Sequence, residues 1–389
     1  MYQIKTLNKI AQVGLDQLPK AQYTVSDQAN QPDGILVRSA DMLSAELPGS
    51  LLAIARAGAG TNNIPIDRCS EAGVVVFNTP GANANAVKEL TICALLLASR
   101  GVAAGSKWLD AQAAQGVDVT AVIEKGKSQF VGPELLGKTL GVVGLGAIGV
   151  QVANIATKLG MNVVGYDPFL SVNAALSLSR AVHWAKDIGT IFQGCDYITL
   201  HLPQNDKTKG IVGKEAIAAM KPGVRIVNLA RGGLVDTKAM VEALRSGKVA
   251  AYVTDFPTNE LLDVPGVTAL PHLGASTPES EDNCAVMAAH QLADYLENGN
   301  IVNSVNLPAA EMPWSGETRL CILHRNSPGI LSGITSALSQ EGINVENMVN
   351  KSKGDYAYTI VDVNAEVSQA AVTHISGLDN ILRVRVLKR

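Results

Sequence analysis

Short apolar runs separated by polar loops fill the first part of the chain. Residues 34–39, 51–56 and 73–78 are rich in Val, Leu, Ile and Ala, and each run ends in a polar or charged residue. Runs of this length, bounded by Gly, Pro and Asn, predict buried strands. Helical stretches between them predict crossovers and therefore a parallel sheet. Ligands gather at the carboxyl ends of the strands in such sheets, which is where Arg38 and Arg56 fall.

A second α/β pattern follows an apolar helix that we predict at residues 83–100. It opens with a strand at 138–143, a helix at 147–159 and a strand at 162–167. Further strands are predicted at 197–202, 225–229, 250–255 and 267–270, and a long helix at 278–298. The alternation predicts a second doubly wound, Rossmann-like parallel sheet.

A Pro-rich segment at 306–318 precedes the C-terminal part of the chain. Residues 319–389 follow the order strand, helix, strand, strand, helix, strand, which is typical of a ferredoxin-like unit. The predicted fold class is α/β, with two Rossmann-like domains and a C-terminal ferredoxin-like domain. We place the first domain at 1–84 with 283–308, the second at 85–282 and the third at 318–389.

Composition narrows the function classes. The 389 residues include 32 basic and 35 acidic side chains, and the net charge is −3. Because no dense basic run is present, we predict neither a nucleic-acid partner nor a membrane anchor. The five cysteines are widely spaced and contain no C-x-x-C pair, so we predict free thiols, no metal site and a cytoplasmic location.

Three glycines predict a dinucleotide site. Gly144, Gly146 and Gly149 form G-x-G-x-x-G between a predicted strand and helix, and Asp167 ends the next strand. The glycines allow a tight turn and close approach of a pyrophosphate, and the helix start at Ala147 and Ile148 offers unpaired N–H groups. Asp167 would accept the ribose hydroxyls, which favours NAD over NADP. The alternative is a strand–helix junction that needs glycine for packing alone.

Polar residues follow three further predicted strands. They are Arg231 in N-L-A-R-G-G, Glu260 in D-F-P-T-N-E, and His272 in P-H-L-G-A-S-T. Singly, each has a plain alternative: a surface charge, a solvated loop residue and a structural histidine. Their shared place at strand ends beside the glycine motif favours catalysis.

In this order, these motifs resemble the D-2-hydroxyacid dehydrogenase family. The resemblance implies that His272 takes the hydroxyl proton, that Glu260 orients its imidazole, and that Arg231 binds the substrate carboxylate. It implies NAD as the cofactor, contacted by Gly144, Gly146, Ala147, Ile148, Gly149, Asp167, His201, Leu229, Ala230, Asp255, Gly274, Ala275, Ser276 and Thr277. His201 has the alternative of only shaping its loop.

Arg38-Ser39 and the segments 56–62 and 78–83 resemble members that oxidise 3-phosphoglycerate. The resemblance implies that Arg38, Ser39, Arg56 and Gly58 contact this substrate, with the arginines on its phosphate. The alternative is that the arginines only pair with acids. Two other functions stay open: reduction of glyoxylate, hydroxypyruvate or another small keto acid, and nucleotide sensing without catalysis.

The segment from Leu320 to Leu331 resembles the start of an ACT domain, an amino-acid-sensing module. The resemblance implies an L-serine site at a dimer interface, contacted by His324, Asn326 and Asn344. The alternative is a domain that only dimerises the enzyme. Because the long helices at 83–100 and 278–298 are apolar, we also predict a homodimer or homotetramer.

Overall fold

The computed structural model describes all 389 residues, which form two compact units. The first unit comprises Met1–Asn83 and Pro278–Arg389, and the second comprises Ala84–Thr277. The chain therefore leaves the first unit once and returns to it.

The N-terminal part of the first unit is a five-stranded parallel sheet in the order β2-β1-β3-β4-β5. Its elements are β1 (Tyr2–Leu7), α1 (Gln12–Leu15), β2 (Tyr23–Ser26), β3 (Gly34–Val37), β4 (Ala53–Arg56), α2 (Ile66–Glu71) and β5 (Val75–Phe77). The predicted parallel sheet is confirmed. The predicted strand at 34–39 is too long, because Arg38 and Ser39 lie beyond the last paired residue of β3.

The second unit contains a seven-stranded parallel sheet in the order β12-β11-β10-β9-β6-β7-β8. Its strands are β6 (Thr139–Val143), β7 (Asn162–Tyr166), β8 (Val182–Trp184), β9 (Tyr197–Leu200), β10 (Val224–Asn228), β11 (Val249–Thr254) and β12 (Val267–Ala269). The strand β6 pairs with β7 on one side and with β9 on the other, so the strand order reverses there. Dinucleotides bind at this kind of reversal, beyond the carboxyl ends of the strands.

Eight helices accompany this sheet. They are α3 (Ala84–Ser99), α4 (Val102–Ala114), α5 (Val119–Gly126), α6 (Ala147–Lys158), α7 (Val172–Ser177), α8 (Ile188–Gly194), α9 (Lys214–Ala219) and α10 (Thr237–Arg245). The helices α4 and α5 were not predicted from the sequence, and neither buries a single residue. The apolar side chains of α4 define no clear helical face, and α5 is only eight residues long, so neither helix gives the long periodic pattern from which helices are predicted.

The chain returns to the first unit through α11 (Pro278–Asn298), which has the predicted bounds. The remaining elements are β13 (Thr318–Arg325), α12 (Ile330–Gln340), β14 (Val345–Lys353), β15 (Tyr356–Val363), α13 (Gln369–Ser376) and β16 (Ile381–Lys388). They form an antiparallel sheet in the order β14-β15-β13-β16. The predicted ferredoxin-like arrangement is confirmed.

One face of this C-terminal sheet shares a hydrophobic core with the N-terminal sheet. Leu323, Tyr358 and Ile360 pack in the same cluster as Tyr295 and Leu296 of α11. The sequence indicates only a linker at 306–318 between the C-terminal domain and the rest of the chain, and this packing was not predicted.

Arginines of the C-terminal sheet also bind the end of α11. Arg385 donates to the carbonyls of Tyr295 and Leu296 at 3.0 and 2.7 Å. Arg319 donates to the carbonyl of Asn298 at 2.9 Å and forms a fully buried ion pair with Asp362 at 2.6 Å. The carbonyls of Leu296 and Asn298 lie in the last turn, where a helix leaves carbonyl groups without an internal partner, so the arginines help to satisfy them. We call Arg319, Asp362, Arg385 and the last turn of α11 the C-terminal joint.

None of the helices has both the length and the apolar character that a membrane-spanning segment needs.

Candidate active site

The three glycines of the loop between β6 and α6 have different surroundings. Gly144 has a φ of +96°, and a Cβ there would lie 2.5 Å from the carbonyl oxygen of His201. A Cβ on Gly149 would lie 1.9 Å from the carbonyl oxygen of Gly144. A Cβ on Gly146 would meet nothing within 4 Å. Packing therefore requires the first and third glycines, whereas the second faces open space at the start of α6.

Asp167 is fixed beside this loop at the end of β7. Its Oδ2 accepts a hydrogen bond from the N–H of Leu145 at 2.9 Å, and its Oδ1 accepts one from the N–H of Phe169 at 2.8 Å. The carboxylate is half-buried, so oxygen lone pairs remain for hydroxyl donors. The N–H groups of Ala147 and Ile148 lie in the first turn of α6, where a helix provides no internal acceptor.

His201 follows β9 and packs beneath the glycine loop. Its N–H donates to the carbonyl of Val143 at 2.8 Å, and its Nε2 lies 3.1 Å from Thr199 Oγ1. Burial lowers the pKa of His201 to about 4, so the imidazole is neutral at physiological pH. These contacts agree with the alternative that His201 shapes the loop.

Asn228 builds the loop that carries Arg231. This asparagine is fully buried at the end of β10, and its Nδ2 donates to the carbonyl of Arg231 at 2.9 Å. Its Oδ1 accepts from the N–H of Ala230 at 3.2 Å. The side chain of Arg231 is exposed, with one hydrogen bond to the carbonyl of Ala230 at 2.6 Å. Most of its guanidinium donors therefore face solvent.

Asp255 lies just past β11 with 1% of its surface exposed. Its Oδ2 accepts from the N–H of Gly274 at 2.9 Å, whereas its Oδ1 has no hydrogen-bond partner. Burial raises the pKa of Asp255, although the Gly274 hydrogen bond and the charges of His272 and Arg231 oppose the shift. A buried acceptor without a partner is costly unless a ligand supplies a donor.

His272 is held in a left-handed backbone conformation, with φ at +49°. Its N–H donates to the carbonyl of Asp255 at 3.0 Å, and its ring lies against the ring of Phe256 with centroids 4.6 Å apart. The imidazole is exposed. Glu260 is also exposed, in a short 3₁₀ turn (Asn259–Leu261), and neither a hydrogen bond nor an ion pair joins it to His272. This structure therefore does not form the carboxylate–imidazole pair that the sequence predicts.

The residues predicted to bind the substrate phosphate lie together in the first unit. Val37, the last residue of β3, pairs with Arg56, the last residue of β4. Arg38, which follows Val37, therefore lies close to Arg56 at the same edge of the sheet. The Nε of Arg56 donates to the carbonyl of Arg38 at 3.0 Å, and its Nη1 is 2.6 Å from where a Cβ on Gly58 would lie. Arg38 forms an ion pair with Glu281 of α11 at 2.7 Å, as the alternative interpretation of these arginines expects.

The three residues predicted to bind serine do not meet within one chain. His324 pairs with Ala357 at the start of β15, whereas Asn344 donates its N–H to Asn364, just past the end of β15. The seven residue steps from Ala357 to Asn364 span about 23 Å along a strand. His324 is buried, with its two ring nitrogens on the carbonyl of Arg325 and the hydroxyl of Thr359, and Asn326 is exposed.

Comparison with known proteins identifies the family. Residues 92–274 match the family model described as D-isomer specific 2-hydroxyacid dehydrogenase, NAD binding domain. A D-3-phosphoglycerate dehydrogenase of Haemophilus influenzae is 31% identical, over 97% of this chain and 95% of that protein. The chain belongs to the D-2-hydroxyacid dehydrogenase family. The predicted resemblance is confirmed.

Other relatives of this dehydrogenase differ in length. The D-3-phosphoglycerate dehydrogenase of Methanocaldococcus jannaschii is 36% identical over 74% of this chain, which spans only 54% of that relative. A solved structure of 3-phosphoglycerate dehydrogenase from Entamoeba histolytica, with NAD+ bound, has a TM-score of 0.62 and 29% identity. It covers 78% of this chain, which covers 98% of that one. Residues 320–383 match an ACT domain model described as acetohydroxyacid-synthase-small-subunit-like, which confirms the predicted domain type.

The residues of this dehydrogenase fit NAD, the cofactor of its family domain. The open space at Gly146 admits a phosphate beside the first turn of α6. Asp167 presents a carboxylate suited to ribose hydroxyls and unsuited to a 2′-phosphate. The unpaired Oδ1 of Asp255 suits an amide donor such as the carboxamide of nicotinamide.

Sequence reasoning missed three residues that build this site. Asn228 was present in the quoted motif, but its burial beneath the Arg231 loop was not foreseen. Gln204 accepts a hydrogen bond from the N–H of Gly233 at 3.0 Å, and Phe256 packs on His272. No local pattern marks Gln204, because its contact lies far away in the chain.

Proposed function

We propose that this dehydrogenase oxidises D-3-phosphoglycerate to 3-phosphohydroxypyruvate with NAD, the first step of serine biosynthesis. The observation that carries the proposal is the pair Arg38 and Arg56 at neighbouring strand ends of the first unit. The backbones of the two arginines are neighbours at one edge of the sheet, so a guanidinium from each would supply donors for a dianionic phosphate. The relatives that share the family and carry this enzyme name support the same substrate.

The proposed chemistry assigns one task to each residue. His272 accepts the proton of the substrate hydroxyl, since an imidazole can accept and donate protons near neutral pH. Arg231 binds the carboxylate and polarises the neighbouring oxygen, with its exposed donors. Bound NAD would supply the acceptor for the hydride that leaves the substrate carbon. Glu260 must approach His272 to orient its imidazole, because no contact joins them here.

A second function is favoured by one contact. The guanidinium of Arg38, which the phosphate would need, is already engaged in an ion pair with Glu281. If this pair persists with substrate, the site suits an unphosphorylated keto acid such as hydroxypyruvate or glyoxylate. Both side chains are about two-fifths exposed, at 40% and 44%, and exposed pairs of this kind are weak. A phosphate can therefore compete with Glu281.

The test compares substrates and arginine variants. NADH oxidation is followed with phosphohydroxypyruvate, hydroxypyruvate and glyoxylate, for the native enzyme and for Arg38→Gln and Arg56→Gln. Loss of a charge-assisted hydrogen bond worth about 1.5–3 kcal/mol should raise the KM for phosphohydroxypyruvate about 10- to 100-fold. The KM for hydroxypyruvate should change little. Equal effects on both substrates, or better use of hydroxypyruvate by the native enzyme, would rule out the phosphate role.

We further propose that L-serine binds between two copies of the ACT domain. Because His324 and Asn344 lie at opposite ends of the sheet, a small ligand that contacts both needs the second residue from another subunit. The exposed edge strand β14 is available for pairing with a second copy. Calorimetric titration with L-serine should show binding to the native enzyme and none to Asn344→Ala. If the native enzyme shows no heat of binding, the domain serves assembly alone.

A homodimer or homotetramer is supported by α4 and α5. These helices bury no residue, yet Val102, Ile123 and the nearby Val131 are 60%, 39% and 80% exposed. Exposed apolar side chains concentrated on one helical hairpin favour contact with another copy of the chain. Sedimentation of the native enzyme and of an Ile123→Glu/Val131→Glu variant tests this surface.

The cytoplasmic location stays a prediction, supported by the five free cysteines.

A further inference from the structure

Phe256 occupies a position between the two loops that carry Arg231 and His272. It directly follows Asp255, and its N–H donates to Thr254 Oγ1 at 3.1 Å. On one side, the Cβ of Phe256 is 3.2 Å from where a Cβ on Gly232 would lie. On the other side, its ring meets the imidazole of His272 at 4.6 Å and 45°.

The backbone of His272 is held by the same short segment. The N–H of His272 donates to the carbonyl of Asp255 at 3.0 Å, and the N–H of Gly274 donates to Asp255 Oδ2 at 2.9 Å. A left-handed φ of +49° is unfavourable for a residue with a side chain, so these bonds must maintain it. These two hydrogen bonds fix the direction of the Cα–Cβ bond of His272. They do not restrict the rotation of the imidazole about the side-chain bonds.

The ring of Phe256 is the contact that restricts this rotation. The imidazole is exposed, and Glu260 does not bind it. A tilted aromatic pair at this centroid distance is favourable beyond its buried area. Without the ring, the imidazole would turn freely in solvent between productive and unproductive directions.

We infer that Phe256 is a positioning residue for the proposed dehydrogenase reaction: its ring holds the His272 imidazole at a fixed spacing from the Arg231 loop. The inference rests on the proposed proton-transfer role of His272. It adds that Phe256 also separates the two loops, because its Cβ packs on Gly232 while its ring packs on His272. A smaller side chain would loosen the spacing between the proton acceptor and the carboxylate-binding arginine.

The experiment compares Phe256→Leu and Phe256→Tyr in the full-length enzyme. Misplaced catalytic groups reduce turnover by up to about 100-fold, so Phe256→Leu should lower kcat by roughly 10- to 100-fold. The KM for the keto acid and the Kd for NADH should stay within about twofold, since neither Arg231 nor the nucleotide contacts are removed. Phe256→Tyr keeps the ring and should restore most of kcat.

Phe192→Leu provides a matched control. Phe192 is 6% exposed in the core of the same unit, on α8. This variant loses an aromatic ring and some stability, but it should keep the native kcat. An equal loss of kcat in both leucine variants would mean that Phe256 acts through general stability, and the inference would be wrong.

A double-mutant cycle with His272→Ala separates the inference from the proposed function. If Phe256 acts through His272, Phe256→Leu should have no further effect on kcat in the His272→Ala background. Multiplicative losses would overturn the inference while leaving the proposed function intact. Unchanged turnover in His272→Ala alone would overturn the proposed role of His272 and this inference with it.

A spectroscopic measurement checks the contact without turnover. The imidazole proton resonances of His272, assigned by their loss in His272→Ala, should be displaced by the ring current of Phe256. They should move toward their solvent-exposed positions in Phe256→Leu and remain displaced in Phe256→Tyr. Identical resonances in all three enzymes would contradict the contact.

Discussion

The C-terminal joint and the strand-end site of the second unit use charged side chains in opposite ways. In the joint, Arg319 and Asp362 have no exposed side-chain surface, and the guanidinium makes four hydrogen bonds. At the strand-end site, Arg231, Glu260 and His272 are all exposed, and among their side chains only that of Arg231 makes a hydrogen bond, to the carbonyl of Ala230.

Buried charges therefore contribute to the stability of this chain, whereas exposed charged and polar groups remain accessible to a ligand. A buried charge must be paired and hydrogen-bonded, so the loss of either partner of the buried ion pair should be strongly destabilising. The groups proposed to react must meet substrate, which agrees with the exposed donors of the strand-end site, and we have inferred that backbone bonds and Phe256 orient them. Asp255 shares features of both regions. It is buried and its Oδ2 accepts a hydrogen bond, whereas its Oδ1 has no hydrogen-bond partner.

The largest expected effect comes from breaking the buried pair. Arg319→Ala leaves Asp362 buried and unpaired and should lower the free energy of unfolding by about 3–5 kcal/mol in urea titration. The matched control is Lys388→Ala, which removes an ion pair with Glu366 in which the side chains are 62% and 67% exposed. Its free energy of unfolding should stay close to that of the native chain, because solvent screens both charges. Similar losses in both variants would contradict the distinction between buried and exposed charges.

The glycine loop offers a comparison within the site. Gly149→Ala places a Cβ against the Gly144 carbonyl and should cost about 1–3 kcal/mol or prevent folding. Gly146→Ala meets no atom within 4 Å, so its stability should change little while its Kd for NADH rises. Urea titration and NADH fluorescence measure the two effects. Equal stability losses would mean that Gly146 serves packing too.

His201 should make stability depend on pH. Burial holds its pKa at about 4 in the folded chain, below the value of about 6.5 expected in the unfolded chain. The unfolded state therefore binds more protons between these pH values, and stability is lost as pH falls through this window. We expect a loss of about 1–3 kcal/mol from this group between pH 7 and pH 4, absent in His201→Gln. Parallel curves for both proteins would refute the assignment.

The exposed pair of Arg38 and Glu281 gives the smallest stability effect. Glu281→Gln should change the free energy of unfolding by less than about 1 kcal/mol, because solvent screens both charges. It should, however, lower the KM for phosphohydroxypyruvate, since Arg38 no longer has a competing carboxylate. An unchanged KM would indicate that Arg38 does not contact the phosphate.

Local sequence patterns were sufficient to predict the parallel sheets, the ferredoxin-like order of the C-terminal part and the glycine loop. These features follow from local rules: apolar runs predict β6 and β9, and the G-x-G-x-x-G spacing predicts the turn before α6. The bounds of α11 were predicted because Pro278 and Gly299 mark its ends.

Which polar groups contact one another depends on the three-dimensional fold and could not be predicted from local patterns. Arg319 and Asp362 lie far apart in the chain, and nothing local distinguishes them from surface charges. The same is true of Gln204 beneath Gly233 and of the separation between His324 and Asn344. The physical reason is that periodicity reports which face of an element is buried, whereas pairing depends on strand order and register, which bring distant residues together.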